Sequence, residues 1–339
     1  MKLKIYIILL LTLTSLQVKA QDPIFTQYFF APETINPAYT GTLNEWYTGV
    51  IHRTQWPDGN KKLTTNFGFI NGPIDPDGKM AVGITLLNHH EVFTDYNYFQ
   101  ANAAFAYNIN LNSDLKLRLG IEAGYGNKNF DFGGLVLEDQ IDINDGSISG
   151  GTSDALLYNY ADKMGFFDTS AGILLYNDDG WFGASLKHLS TPDIAFIEYG
   201  TVPLSMFFSA QVGYAFDINS FKFIFQDEAK LLLTANYMRQ ADFNRLDIGT
   251  ALEFDRFTLG ALAAINPEGK SEESHMLTSV NLFASVQIDR FVLGYSYDIN
   301  TSNFGNSKGI HELSLTFQIG RGCPTCNNYL VKRPWGRNY

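Results

Sequence analysis

The sequence predicts an all-β fold, a transmembrane antiparallel up-and-down β-barrel of about 14 strands preceded by a short periplasmic segment. Apolar and polar residues alternate with a period of two, no long apolar run follows residue 20, and only 17% of residues are charged. A spanning helix needs about 20 apolar residues, and a soluble domain carries about 25% charged residues. A soluble β-protein is the competing interpretation, but 27 Phe and 18 Tyr suit strands that face lipid on one side.

The alternation is clearest at residues 115–125, where Leu117 and Leu119 alternate with Lys116, Arg118 and Glu122. Because successive side chains of a strand point to opposite faces, we expect the leucines to face lipid and the charged residues to face the lumen. The same reasoning places three further acids in the lumen: Asp247, Glu253 and Glu312.

Charges of both signs in the lumen are compatible with two kinds of interior. They can line a water-filled pore, or they can pair into a network that braces a closed barrel. We favour a closed or plugged lumen, because the segment before the first strand is available to fill the mouth.

The connections between the predicted strands alternate between compact turns and longer loops. Outer-membrane barrels have short periplasmic turns and long extracellular loops, so both termini are expected in the periplasm. The longest loop, residues 127–165, is acidic and is the best candidate for an extracellular contact surface. The predicted strands are 46–55, 63–70, 80–88, 96–107, 115–125, 166–176, 181–188, 206–216, 221–235, 246–254, 257–265, 280–288, 291–297 and 313–319.

The chain divides into four predicted parts. Residues 1–20 resemble a signal peptide, since Lys2 and Lys4 precede an apolar run that ends at the small residue Ala20. An uncleaved anchor is the alternative, but the apolar run is too short for a spanning helix. Residues 21–45 form the periplasmic N-terminal segment or plug, residues 46–320 the outer-membrane barrel, and residues 321–339 a basic periplasmic tail.

The N-terminal segment is expected to contain a short helix. Asp22 is a suitable cap with Pro23 at the first helical position, and Phe25, Tyr28 and Phe29 would then share one face. Such a face either packs as a tether in the periplasmic mouth or serves as a plug or docking surface.

No residue pattern indicates catalysis, and no metal or cofactor is expected. His89, His90 and Glu91 are adjacent in a predicted loop between two strands, where neighbouring side chains of an extended chain point apart and do not chelate together. The acidic loop lacks the spacing of a calcium-binding EF-hand. A net charge of -11 argues against nucleic acid as a partner.

The tail contrasts with the acidic whole, because it carries basic residues and no acids. It either docks on an acidic periplasmic partner or is a frayed terminus. Cys323 and Cys326 lie in this tail, and oxidation in the periplasm is expected to join them in a disulfide.

Five sequence motifs are similar to those of the PorP/SprF family of type IX secretion-associated membrane proteins. QDPIFTQY at residues 21–28 and INPAYTG at 35–41 resemble the opening of the mature family proteins. RTQW at 53–56, YSYD at 295–298 and HELSL at 311–315 continue the resemblance. Together these motifs frame residues 21–320, whereas the tail has no clear counterpart in the family.

The resemblance implies a Bacteroidota outer-membrane protein that works with the type IX secretion or gliding machinery. Its implied partners are secretion components and a large secreted surface adhesin or its C-terminal domain, with outer-membrane lipid around the barrel. The alternative is a passive channel or transporter for small solutes. The residues expected to serve partner binding are Phe25, Tyr28, Phe29, Asn36 and Pro37.

Overall fold

A computed structural model describes residues 22–57, 62–130, 136, 138–142, 145–148, 163–196, 200–218, 229–268, 276–301 and 309–319. These residues form one closed antiparallel barrel of 14 strands, in which β1 also pairs with β14. The predicted fold class and strand number are therefore confirmed. The strands are β1 (Trp46–Gln55), β2 (Leu63–Pro73), β3 (Met80–Glu91), β4 (Tyr96–Asn110), β5 (Lys116–Asn129), β6 (Lys163–Tyr176), β7 (Gly180–Lys187), β8 (Phe207–Asp217), β9 (Ala229–Gln240), β10 (Phe243–Phe254), β11 (Phe257–Ile265), β12 (Leu277–Ile288), β13 (Phe291–Asn300) and β14 (Ile310–Ile319).

The two faces of the strands follow the predicted alternation. On β5, Arg118 and Glu122 are buried in the barrel, whereas Leu119 and Ile121 are 41% and 60% exposed on its outside. Asp247, Glu253 and Glu312 are buried as well, and the Lys116 ammonium lies 6.0 Å from the ring centre of the buried Tyr176. An apolar exterior and a charged interior are typical of a β-barrel that is surrounded by lipid.

One strand extends further along the chain than the sequence predicted. The interval 221–235 was expected to be a strand, whereas β9 runs from Ala229 to Gln240, and residues 221–228 lie outside the described part of the chain. The alternation that sets its inward face continues through Asn236, Met238 and Gln240, all of which are buried. The strand therefore ends where that inward series ends.

The barrel has two distinct ends. At the turn end, β2 connects to β3, β4 to β5, and so on to β12 and β13; at the loop end, β1 connects to β2, β3 to β4, and so on to β13 and β14. The longest connections, at 130–162 and 188–206, lie at the loop end. The predicted alternation of short turns and long loops is only partly followed, because the connection at 241–242 is short and also lies at the loop end.

The predicted N-terminal helix does not form. Residues 22–25 have no regular structure, residues 26–30 make a turn, and two short 3-10 helices follow at Pro32–Thr34 and Pro37–Tyr39. Asp22 caps nothing, because its carboxylate contacts His188 instead. Asn36 instead caps the second 3-10 helix, because its side chain accepts a hydrogen bond from the Ala38 N–H.

Within the described ranges, no helix is long and apolar enough to span a membrane.

Candidate functional site: the barrel lumen

Residues 22–45 lie inside the barrel and are called the inner segment. At the turn end, the Gly41 N–H donates to Asn71 Oδ1 at 2.9 Å, and the Thr40 carbonyl accepts from Arg118 Nη2 at 2.6 Å. At the loop end, the Asp22 N–H donates to Oε1 of Gln240, the last residue of β9, at 2.8 Å. The inner segment thus runs through the lumen from one end of the barrel to the other.

This path differs from the expected position of the segment. We expected all of residues 21–45 at the mouth where the short turns lie. Only the part next to β1 is found there, where Asn44 contacts Gly78 in the β2–β3 turn. The first described residue, Asp22, lies at the opposite mouth, because its partners are strand ends and loop residues on that side.

The inner segment is held at the loop end by three residues that we call the loop-end latch: Asp22, Asp168 and His188. Nε2 of His188 lies 2.6 Å from Asp22 Oδ2, and Nδ1 lies 2.6 Å from Asp168 Oδ2. An ionised carboxylate only accepts hydrogen bonds, so a doubly protonated ring satisfies both acids. The His188 side chain is fully buried, and His188, which directly follows β7, has a left-handed backbone with a φ of 59°.

The latch keeps its histidine charged. Burial alone would lower the His188 pKa, but the carboxylates of Asp22 and Asp168 outweigh it and raise that pKa to about 9. For the Asp22 carboxyl, burial acts to raise the pKa, yet the neighbouring His188 charge holds it far below its ordinary value. The latch is therefore an ion pair at neutral pH.

A second contact, the carboxylate anchor, consists of Arg53, Asp298 and Glu312. The two Glu312 oxygens accept the N–H groups of Thr26 and Gln27 at 2.8 and 2.9 Å. The Thr26 hydroxyl donates to Asp298 at 2.7 Å, and Arg53 pairs with both acids. The acids are buried, so Arg53 and the N–H groups of the inner segment together supply the partners that a buried charge requires.

The Asn36-Pro37 pair lies in the middle of the lumen. Asn36 Nδ2 donates to the Ile173 carbonyl at 3.0 Å and to Gln211 Oε1 at 3.3 Å. The segment passes so close to the wall that a Cβ at Gly120 would lie 2.4 Å from the Ala38 nitrogen. Glycine in β5 therefore makes room for the backbone of the inner segment.

The three aromatic residues expected to bind partners contact the barrel wall. Phe25 is 2% exposed and packs on Phe67, with ring centres 5.9 Å apart. Tyr28 is 5% exposed, and the partly buried Phe29 packs on Phe283 at 4.4 Å. Phe25 packs apart from Tyr28 and Phe29, whose ring centres lie 5.8 Å from each other, so the three do not form the one face that the expected helix would have given. A partner would reach Phe25 and Tyr28 only if the inner segment left the lumen.

Sequence reasoning missed the residues that hold the segment. His188 ended a predicted strand, Asp298 began the loop after another, and Asp22 was assigned to a cap, so nothing local linked them. Arg53 belonged to a family motif without an assigned role. The predicted lumen charges of Arg118 and Glu312 are confirmed as inward, but they bind the inner segment rather than only each other.

The remaining candidates carry little chemistry or lie outside the described residues. His89 contacts the Thr65 hydroxyl at 2.8 Å, and the described residues contain no cluster of potential metal ligands. The predicted signal peptide, most of the acidic loop, and the tail with Cys323 and Cys326 are not among the residues that the structure describes.

The architecture defines a class of protein: an outer-membrane-type β-barrel whose lumen holds its own N-terminal segment. The family model for type IX secretion system membrane protein PorP/SprF matches residues 17–317. The chain therefore belongs to the PorP/SprF family, which is a family of secretion-system membrane proteins.

Solved structures with a similar fold are also outer-membrane barrels. A TodX monoaromatic hydrocarbon channel mutant is 10% identical, with 87% of this chain and 94% of that chain covered and a TM-score of 0.50. The toluene transporter TbuX of Ralstonia pickettii is 11% identical, with 84% and 91% covered and a TM-score of 0.49. At such identity the likeness concerns the fold alone. No curated protein matches the chain.

Proposed function

We propose that this chain is a noncatalytic outer-membrane partner of the type IX secretion machinery that assists the secretion or surface anchoring of large adhesin-like cargo. The observation that carries the proposal is the family match over residues 17–317. The expected partners are type IX components and a secreted adhesin or its C-terminal domain. In this proposal the loop end faces the cell exterior and the turn end faces the periplasm.

The inner segment supplies a physical route for partner recognition. It is held by one buried ion pair, between Asp22 and His188 in the loop-end latch, and by hydrogen bonds that include those from Thr26 and Gln27 to the carboxylate anchor. A partner that offers equivalent contacts can compete for the segment. On release, Phe25, Tyr28 and Phe29 become available, and large aromatic side chains dominate the energetics of protein interfaces.

Gene deletion tests the role. We expect one or a few type IX cargo proteins to disappear from the cell surface, while other cargo of the same system is displayed normally. Surface proteomics on intact cells, with complementation in trans, measures this directly. Normal display of all cargo in a clean deletion would refute the proposal.

A pair of matched variants tests whether partners are recognised through the inner segment. Changing Phe25, Tyr28 and Phe29 to Ala should leave barrel insertion intact but impair cargo display. The control changes Phe99, Phe105 and Tyr107, which face outward on β4, to Leu. If the purified wild-type protein conducts solutes freely in liposomes and the deletion strain displays its cargo, a passive channel becomes the better assignment.

A further inference from the structure

The two halves of the turn end differ in charge. The turns after β10 and β12 each contain one acid followed by one base: Asp255-Arg256 and Asp289-Arg290. The turns after β2, β4, β6 and β8 are acidic, and in their described residues Lys79 is the one base. Six aspartates, the last of which ends β8, are called the acidic rim: Asp75, Asp77, Asp114, Asp178, Asp179 and Asp217.

Most of the acidic rim is open to solvent. Four of its six members are exposed, and the side chains of Asp77 and Asp217 are 71% and 57% exposed. Each of these two lies near one lysine, Lys79 at 3.4 Å and Lys230 at 3.7 Å. Exposed ion pairs of this kind are weak, so these acids remain able to bind further basic groups.

The chain after β14 supplies a segment of the opposite charge. The tail has four basic and no acidic side chains: Arg321, Lys332, Arg333 and Arg337. Apolar residues lie beside the bases, among them Val331 and Trp335. The acidic rim has apolar neighbours too, because Ile74 and Leu111, in the turns after β2 and β4, are 53% and 51% exposed. The tail and the rim are therefore complementary in charge and in apolar contacts.

The tail begins beside the acidic rim. β14 ends at Ile319, which pairs with Trp46 at the start of β1. Asn44, two residues before Trp46, contacts Gly78 in the turn that contains Asp77. Neighbouring strands lie about 4.8 Å apart, which places the turns after β2 and β4 about 12 and 22 Å from β14 along the wall. An extended chain of the tail's length reaches about 60 Å, so both turns are within its range.

We propose that the tail docks on the acidic rim, with its basic side chains on the aspartates and its apolar residues on the exposed Ile74 and Leu111. Linkage within one chain gives effective concentrations of order millimolar, so individually weak contacts are sufficient. The tail lies beyond residues 17–317, which the family model matches, so the family match does not account for this contact. A docked tail covers the side of the mouth at which the inner segment joins β1, and a partner approaching there has to displace it.

Trypsin cleavage after Lys332 tests the docking, because the rate follows the population of undocked tail. The full protein is used in nanodiscs of phosphatidylcholine, which has no net charge, and rates are divided by those of a free tail peptide at the same salt concentration. We expect about tenfold protection at about 10 mM salt and little at about 1 M, where the screening length falls from about 30 to about 3 Å. Asp77→Asn with Asp114→Asn should raise the low-salt rate about fivefold, the effect of two lost exposed charge pairs.

The matched control is Asp255→Asn with Asp289→Asn, which removes the same charge from the turns after β10 and β12. Asparagine tolerates the left-handed backbone of both positions, and each acid is already balanced by the adjacent arginine. The control should keep the wild-type rate. A heat-dependent gel shift establishes that each variant forms a closed barrel.

Carbodiimide coupling, which joins an amine to a carboxylate in contact with it, gives a second measurement. Lys332 is the one lysine of the tail, and it should couple to Asp77 or Asp114, whereas Lys332→Arg should give no such product. An unprotected wild-type tail, or equal rates in the rim and control variants, would overturn the proposal. Protection that appears only after anionic phosphatidylglycerol is added would assign the tail to the lipid surface instead. The secretion role is unaffected by these outcomes, since it is judged by cargo display.

Discussion

The loop-end latch makes docking of the inner segment dependent on pH. The His188 pKa rises from an ordinary 6.5 to about 9 in the docked state. The docked state therefore holds a proton that the released state loses. While Asp22 and Asp168 are ionised, the His188 contribution is fully present below about pH 6.5, and it is lost as the pH rises through about 9. At 1.36 kcal/mol per pKa unit, the contribution is about 3 kcal/mol.

Chymotrypsin measures this contribution, because the aromatic residues of the inner segment are cleavable only after release. When opening is fast, the cleavage rate follows the population of the released state. We expect wild-type cleavage, normalised to a free peptide of the same sequence, to stay low at pH 7 and to rise between pH 8 and 10. His188→Gln should be cleaved about 100-fold faster at pH 7, and the two rates should converge above pH 9.

His52→Gln is the matched control, since His52 bonds Asn66 on the exposed face of the barrel. This variant should keep the wild-type profile. A wild-type cleavage rate that stays constant between pH 8 and 10, or a His188→Gln variant as protected as wild type, would refute the latch.

Three other predictions concern the wall and the tail. Gly120→Ala should displace the inner segment at a cost of about 1–3 kcal/mol, seen as faster chymotrypsin cleavage, whereas Gly68→Ala, where a Cβ meets nothing closer than 3.8 Å, should not. Leu315→Arg should lower the free energy of unfolding in lipid, measured by urea titration, by about 2–4 kcal/mol; an unchanged value would contradict its outward position. Cys323 and Cys326 should resist alkylation without reductant, and mass spectrometry that finds two alkylated thiols would exclude their disulfide.

The barrel was predictable because each strand encodes its own two faces. The alternation of Leu119 and Ile121 with Arg118 and Glu122 fixes which side meets lipid without reference to any other strand. Strand ends were less predictable. At β9 the inward series continues through Asn236, Met238 and Gln240, which mix polar and apolar residues, so a pattern of hydrophobicity does not show where the strand ends.

The arrangement of the lumen was not predictable for a related reason. Asp22 and His188 are 166 residues apart, and Thr26 and Glu312 are 286 residues apart. No periodicity links such pairs. The spacing of the aromatic residues at 25, 28 and 29 predicts one face of a helix. In the barrel, however, Phe25 packs on Phe67 and Phe29 packs on Phe283, which lie on different strands. Tertiary contacts therefore override the local preference.

The carboxylate anchor ties the position of the inner segment to the order of assembly. Arg53 belongs to β1 and Glu312 to β14, and these strands form the seam that closes the sheet, with Arg53 directly opposite Glu312. The binding site for Thr26 and Gln27 consequently does not exist until the last strand has met the first. The first described residues can therefore bind only after strands near the end of the chain have formed. Contacts of such sequence separation form slowly. A barrel that sealed without its inner segment would enclose Glu312 and Asp298 with Arg53 as their shared counterion, so the charge at the seam favours closure around the segment.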